Sequence, residues 1–357
     1  MLSLKWFSQV DNNLLEPQYP LITAHLSSFL TNIQPQIQRD ALPLVDTLTL
    51  SAPNFIAANY GRILPDCIRQ IASDDQTSSG KAQSAPKSAP KSGGRSSGVS
   101  SKVADNISAL EWRINVLSRV NKILNCLCKK SKNQEQENHG AVSTIEFKEN
   151  MNICLIPSGN INHIAKLELL QKSTKDPMID LVKKIIPLAI DSWIEATNSK
   201  DNGNRHSFLA NDVHSLLTSI SGILYNFVQY AETFNNSEIL ILIRKQYFKE
   251  LNAKLFSHLP YSSNNGRCNK ENLQLCSVIL RGSPALTTEL VDKITNILRQ
   301  TINNEGSNDL IVYKEMLEHA RIDEARKIEI GKLLIEKSQI YKTGTKEWTL
   351  CFSILGR

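Results

Sequence analysis

Apolar side chains return at three- and four-residue steps in one segment after another, and short polar breaks separate the segments. Ile22, Leu26, Phe29, Leu30 and Ile33 make one stripe, and Ile37, Ala41, Leu44, Val45 and Leu48 make the next. A helix with such a stripe must bury it against another element. Asn32 to Pro35 breaks the first helix, and Pro43 inside the second predicts a kink, because proline removes a backbone donor. Asn54 is placed to cap a third helix running toward Ile71. Helices of this length joined by such short turns lie antiparallel, and repeated pairs stack side by side. The expected class is all-α, built as HEAT/armadillo-like helical repeats (an α-solenoid).

The pattern continues beyond residue 104. Ser108 to Glu111 reads as a capping box. Behind it Trp112, Val116, Val120, Ile123 and Leu127 form a stripe, with Arg113, Arg119 and Lys122 facing elsewhere. Pro177 opens a helix carrying Met178, Val182, Ile185, Ile186 and Ile190. Further helical periods cover roughly 206–234, 237–259, 270–282, 286–303, 309–320 and 322–341. Thr144–Phe147 and Ile153–Ile156 look strand-like but are too short to found a sheet.

Residues 73–103 interrupt this order with ten Ser, four Gly, two Pro and a tandem Ser-Ala-Pro-Lys at Ser84–Lys87 and Ser88–Lys91. Such a stretch has almost nothing to bury, so its ordering entropy is not offset and a disordered linker is expected. The chain therefore divides into a helical-repeat block over 1–72, a disordered basic linker over 73–104 and a C-terminal helical region over 105–357. Lys129 to Gly140 is expected to form a second polar loop.

Charge follows the same division. The chain has 41 Lys+Arg against 35 Asp+Glu, a net +6. Lys81, Lys87, Lys91, Arg95 and Lys102 supply five of these charges from a stretch without an acid. Residues 112–134 add Arg113, Arg119, Lys122, Lys129, Lys130 and Lys132, again without an acid. Lys81, Lys87, Lys91, Arg95, Lys129, Lys130 and Lys132 are candidate phosphate contacts or nuclear-import residues. The alternative is a solubilising linker followed by a solvated helix face. No aromatic side chains interleave the linker's charges, which weakens a single-strand RNA platform there.

Chemistry is sparse. No phosphate-cradling glycine loop, His-Glu-x-x-His motif or nucleophile elbow occurs, and Ser79-Gly80-Lys81 lacks the upstream glycine. The seven cysteines are odd in number and scattered. Cys126 and Cys128 point to different faces of a helix, and Cys268 and Cys276 have no partner pair at ligand spacing, so no metal and no cofactor are expected. His206 and His214 stand too far apart to ligate jointly, and His25 and His163 read as partly buried packing residues. Glu315, Glu318, His319, Arg321 and Glu324 read as a solvated charged face. Tyr225, Phe227, Tyr230 and Phe234 have the spacing of a helix packing inward. No catalytic residue emerges, and the chain reads as a non-enzyme. No apolar run is long enough to span a membrane, and Met1 to Val10 lacks the build of a signal peptide.

Two stretches resemble a known family. Pro17 to Ile33 contains Pro20-Leu21 and Ala24-His25-Leu26-Ser27, and Ile37 to Leu48 contains Asp40-Ala41-Leu42 and Asp46. Both resemble the signature of testis-expressed protein 10 and its fungal Ipi-type relatives. Leu110 to Val120, with Trp112-Arg113 and Val116-Leu117-Ser118-Arg119, is similar to a helix of the animal members. Phe29-Leu30 and Pro43 depart from the pattern. The family carries further repeats ahead of this signature, so the resemblance implies an N-terminally shortened member whose Leu2, Leu4, Trp6 and Phe7 would lack their packing partners. It also implies a non-catalytic scaffold subunit of a nuclear Rix-type complex, found in nucleolus and nucleoplasm. That complex serves large-subunit maturation and removal of the second internal transcribed spacer. The implied partners are an armadillo-like Rix/PELP-type subunit, a WD-repeat subunit and pre-60S particles with a midasin-type AAA ATPase, with a SUMO protease in animals. The competing readings are a generic HEAT-like adaptor of a chromatin or transport complex, and a direct RNA-binding protein using residues 80–134.

Overall fold

Among the described residues, four helices begin with proline in their first turn, where its fixed φ suits the helix and its missing N–H is no loss. They are α1 (Tyr19–Leu30), α2 (Pro35–Ser51), α3 (Pro53–Ala58) and α6 (Pro177–Asn198). A computed structural model describes residues 16–78, 109–137, 176–198, 209–263, 266–303 and 308–356. Between and after those four lie α4 (Tyr60–Ser78), α5 (Ala109–Glu137), α7 (Asn211–Thr233), α8 (Ser237–Leu242) and, after a π-turn at Ile243–Tyr247, α9 (Phe248–Lys254). A two-residue antiparallel ladder pairs β1 (Ser262–Ser263) with β2 (Gly266–Arg267). The chain then continues as α10 (Asn269–Gly282), α11 (Thr288–Thr301), α12 (Asn308–Glu318), α13 (Glu324–Ser338) and α14 (Lys346–Leu355). The class is all-α.

Side-chain oxygens cap the later helices. Thr287 accepts from the Leu290 N–H, Asp323 from Arg326 and Thr345 from Trp348. The α7–α8 turn uses Asn235 in the left-handed region at φ 50°, while the Asn236 N–H donates back to the Ala231 carbonyl at 2.8 Å. Asparagine tolerates this conformation better than other side chains bearing a Cβ, so it ends the helix here.

Packing is between near neighbours in chain order. Every extensive contact between two α-helices joins helices at most three places apart in this numbering. α5 sits at the centre, against α2, α3, α4, α6 and, over its longest contact, α7. Its buried residues are Val120 and three doublets: Val116 and Leu117, Ile123 and Leu124, Leu127 and Cys128. That pattern makes a stripe wide enough to serve two sides, α2–α4 on one and α7 on the other.

The α5–α7 crossing depends on a missing side chain. A Cβ on Gly222 would lie 2.4 Å from the Asn121 amide nitrogen, so only glycine admits Asn121 into this groove. Asn226 on the next turn donates to the Asn121 side-chain oxygen at 2.9 Å. A second polar node joins α4, α6 and α7. Asp176 accepts from the Met178 N–H, from Asn236 at 2.6 Å and from the Tyr230 hydroxyl, which itself meets Tyr60. Farther along, Lys337 of α13 is wholly buried and pairs at 2.6 Å with Asp309 of α12, itself 2% exposed.

Several expectations need correction. Lys129 to Glu137 is not a loop but the last turns of α5. The expected helix from Asn54 to Ile71 is two helices, α3 and α4, broken at Asn59, and Asn54 lies inside α3 and does not cap it. Pro43 lies inside α2, as expected, and the helix continues through it. Phe29 is exposed although it lies within α1, and Ile33 is 96% exposed because α1 ends at Leu30 before its stripe is complete. His25 is exposed, stacked on Phe29. Phe227 and Tyr230 are core as expected, but Phe234 lies past the end of α7 and is half-exposed against Tyr230. α14 was not foreseen. Thr144–Phe147, Ile153–Ile156, Ser79–Lys81, Ser108, His163 and His206 lie outside the described residues.

Gly222→Ala is expected to lower stability by about 1–3 kcal/mol through overpacking against Asn121. Combining it with Asn121→Ala should recover part of that loss. Urea-unfolding midpoints of the two variants check both statements.

Candidate docking surface

α2 and α5 approach each other through one carboxylate. Asp46, on the solvent-facing margin of α2, accepts from Arg119 Nη2 at 2.7 Å and from Lys122 Nζ at 2.5 Å. Arg119 also holds the Asn115 side-chain oxygen at 3.0 Å, one turn back along α5. Arg119 is largely buried by this arrangement while Lys122 stays half-exposed. Arg113, one flank over, pairs with Glu195 of α6. Three of the charges that read as a solvated face are therefore interhelical links.

Beside the clamp opens a groove of about 460 Å³ whose walls include Asp46, Leu50, Pro53, Asn54, Lys122 and Lys129. Leu50 is 85% exposed at its edge. Cys126 sits at the base, its thiol donating to the Thr49 carbonyl across 3.7 Å. Burial pushes this thiol up, opposed by the Lys129 ammonium, so it stays protonated and unreactive near neutral pH. An apolar edge, two ammonium groups and an amide can pair and pack with a partner.

Of the sequence-derived basic candidates, Lys129 is placed at this groove and exposed. Lys130 and Lys132 belong to α5, but their side chains, like Lys81, Lys87, Lys91 and Arg95 entirely, lie outside the described residues.

Glu315 corrects the reading of residues 315–324 as a solvated face. It is largely buried, accepts from the Ser277 hydroxyl at 2.8 Å and pairs with Arg281, which also reaches Glu232. Burial raises its carboxyl, and Arg281 and Ser277 pull it back down. Sequence reasoning missed this because Arg281 is on another helix. It also missed His214, Cys268 and Glu271, whose ligand atoms lie within 4.8 Å of one another. The search for short cysteine spacings could not see a mixed set drawn from two helices.

Residues 13–124 match the family described as a Rix1 complex component involved in 60S ribosome maturation. Over this segment the chain is similar to the Ipi-type family. Testis-expressed protein 10 homolog of Danio rerio is 23% identical over 115 residues, which cover 32% of this chain and 12% of that protein. The matched segment holds α1 to α4 and the part of α5 that carries Arg119 and Lys122, so both halves of the Asp46 clamp lie inside it. The two stretches that carried the resemblance, around Asp46 and around Arg119, are thus in direct contact.

Arg119→Ala is expected to cost about 1.5–3 kcal/mol, since it leaves a partly buried carboxylate short of its main charged partner. Lys122→Ala, at an exposed position, should cost less than about 1 kcal/mol. Thermal unfolding of the two variants should show that order, and equal losses would mean the clamp is not centred on Arg119.

Proposed function

We propose that this chain is a non-catalytic helical scaffold subunit of a Rix1-type complex acting in maturation of the large ribosomal subunit and in processing of the pre-rRNA internal spacer. One observation carries the reading. The Ipi-type segment is continuous in space, its two signature stretches closed on each other through Asp46 and Arg119 although residues 79–108 intervene. The near-neighbour packing of α1 to α14 supports an α-solenoid of HEAT-like type, a form that offers long surfaces for docking. The division into a block over 1–72, a linker over 73–104 and a region over 105–357 belongs to the same proposal, with the start of the linker set back to residue 79 because α4 runs to Ser78, and with α5 of the last part packing on α2, α3 and α4 of the first.

The partners proposed are an armadillo-like Rix/PELP-type subunit, a WD-repeat subunit and pre-60S particles bearing a midasin-type ATPase, in nucleolus and nucleoplasm. The groove at Leu50 and Lys129 suits a segment that brings apolar and acidic side chains together. Among the described residues no helix is long and apolar enough to cross a membrane. Direct RNA binding is the second reading, favoured by the exposure of Lys129. Against it, Arg113, Arg119 and Lys122 are occupied by acids.

Affinity purification of the full chain from nuclear extract tests the scaffold reading. Large-subunit precursors and the WD-repeat protein should co-purify, and recovery should fall at least threefold with Leu50→Asp. Absence of both from the wild-type eluate would overturn it. For the RNA reading, spacer RNA should bind with a steep salt dependence that Lys129→Glu, Lys130→Glu and Lys132→Glu together reduce.

A further inference from the structure

We propose that His214, Cys268 and Glu271 form a zinc site, joining the first turns of α7 and α10. Their imidazole, thiol and carboxylate ligand atoms all fall within 4.8 Å of one another. Around a tetrahedral Zn²⁺ with bonds of about 2.0–2.3 Å, ligand atoms stand roughly 3.3–3.8 Å apart, so closure needs only a small contraction. His214 Nε2 and Glu271 Oε1 are 3.8 Å apart, too far for a hydrogen bond but a normal separation for two ligands of one ion. His214 is only partly buried, and its ring can make the remaining adjustment.

Burial separates this cluster from ordinary surface groups. Cys268 is 2% exposed and Glu271 is 6% exposed. A carboxylate and a thiol buried together in a protein interior gain most from a cation that both can ligate. Outer partners are also in place. The Thr218 hydroxyl donates to Glu271 Oε1 at 2.8 Å, and Ser263 hydrogen-bonds the Cys268 sulfur. Such contacts orient ligands and are a regular part of metal sites.

The backbone around the cluster is fixed from several directions. Asn272, one residue past Glu271, accepts from the Tyr261 N–H at 2.9 Å and donates to the Tyr261 carbonyl at 3.0 Å. The Cys268 N–H also donates to that carbonyl. A bridge from Leu209 to Ser263, with the Leu209 N–H on the Ser262 carbonyl at 2.9 Å, brings the chain entering α7 alongside. Cys268 and Glu271 are three apart on either side of the α10 start, and His214 comes from one turn into α7. One sulfur, one nitrogen and one oxygen ligand favour Zn²⁺ over Mg²⁺ or Ca²⁺, which prefer all-oxygen sets. Three protein ligands leave a fourth position to be filled by water.

The full chain, stripped with chelator, is titrated with Co²⁺ and separately with Zn²⁺. The expected result is a saturable sulfur-to-cobalt charge-transfer band in the near ultraviolet, complete at one equivalent, and a rise in Tm of several degrees with Zn²⁺. Cys268→Ser should abolish the band. His214→Ala, at a site whose truncation leaves the core packed, should weaken Co²⁺ binding at least tenfold and remove the Zn²⁺ shift. Cys126→Ser should change neither. Absence of the band and of the shift in the wild-type chain would overturn the site, leaving a hydrogen-bonded polar cluster. A band undiminished in both Cys268→Ser and His214→Ala would overturn it equally.

Discussion

The structure depends on α5 burying its apolar surface on two sides at once. Hydrophobic burial scales with area removed from water, and a helix packed on one side leaves most of its circumference wet. By carrying its buried residues in doublets, α5 completes the cores of α2–α4 and of α7 together. Removing it would strip the shared wall from both groups. Its charged margin then becomes useful, since Arg113 and Arg119 are held against neighbours that the apolar contact has already brought within reach.

Polar groups in this interior set geometry more than they add stability. Asn121 fits only because position 222 has no side chain, and Asn226 then fixes its amide. Asp176 gathers three elements around one carboxylate. Lys337 and Asp309 form a pair whose desolvation cost is comparable with its attraction, so its contribution lies in the register it imposes on α12 and α13. Each specifies one arrangement among several that apolar packing alone would tolerate.

Much of this was legible in the sequence. The α6 stripe names buried residues correctly, as does the α5 stripe except for Trp112, which is only partly buried, and the opposed directions of Cys126 and Cys128 appear as contacts to α2 and α7. What periodicity could not supply was the second half of each α5 doublet, Leu117, Leu124 and Cys128, because a single stripe already satisfies a helix with one neighbour. It also could not end elements. Residues 129–137 look like a loop by composition, yet α5 continues through them to Glu137. Charge pairing between distant segments was the other blind spot. Asp46 with Arg119 and Glu315 with Arg281 each join residues more than thirty positions apart. For the docking groove, sequence supplied Lys129 but not Leu50, which periodicity alone does not mark as the edge of an open surface.

Contact confined to near neighbours has a mechanical meaning. In the proposed solenoid, strain applied at one end passes mainly through successive seams, and each seam can yield slightly. An array of that kind meets a large, irregular body by bending shared among several joints.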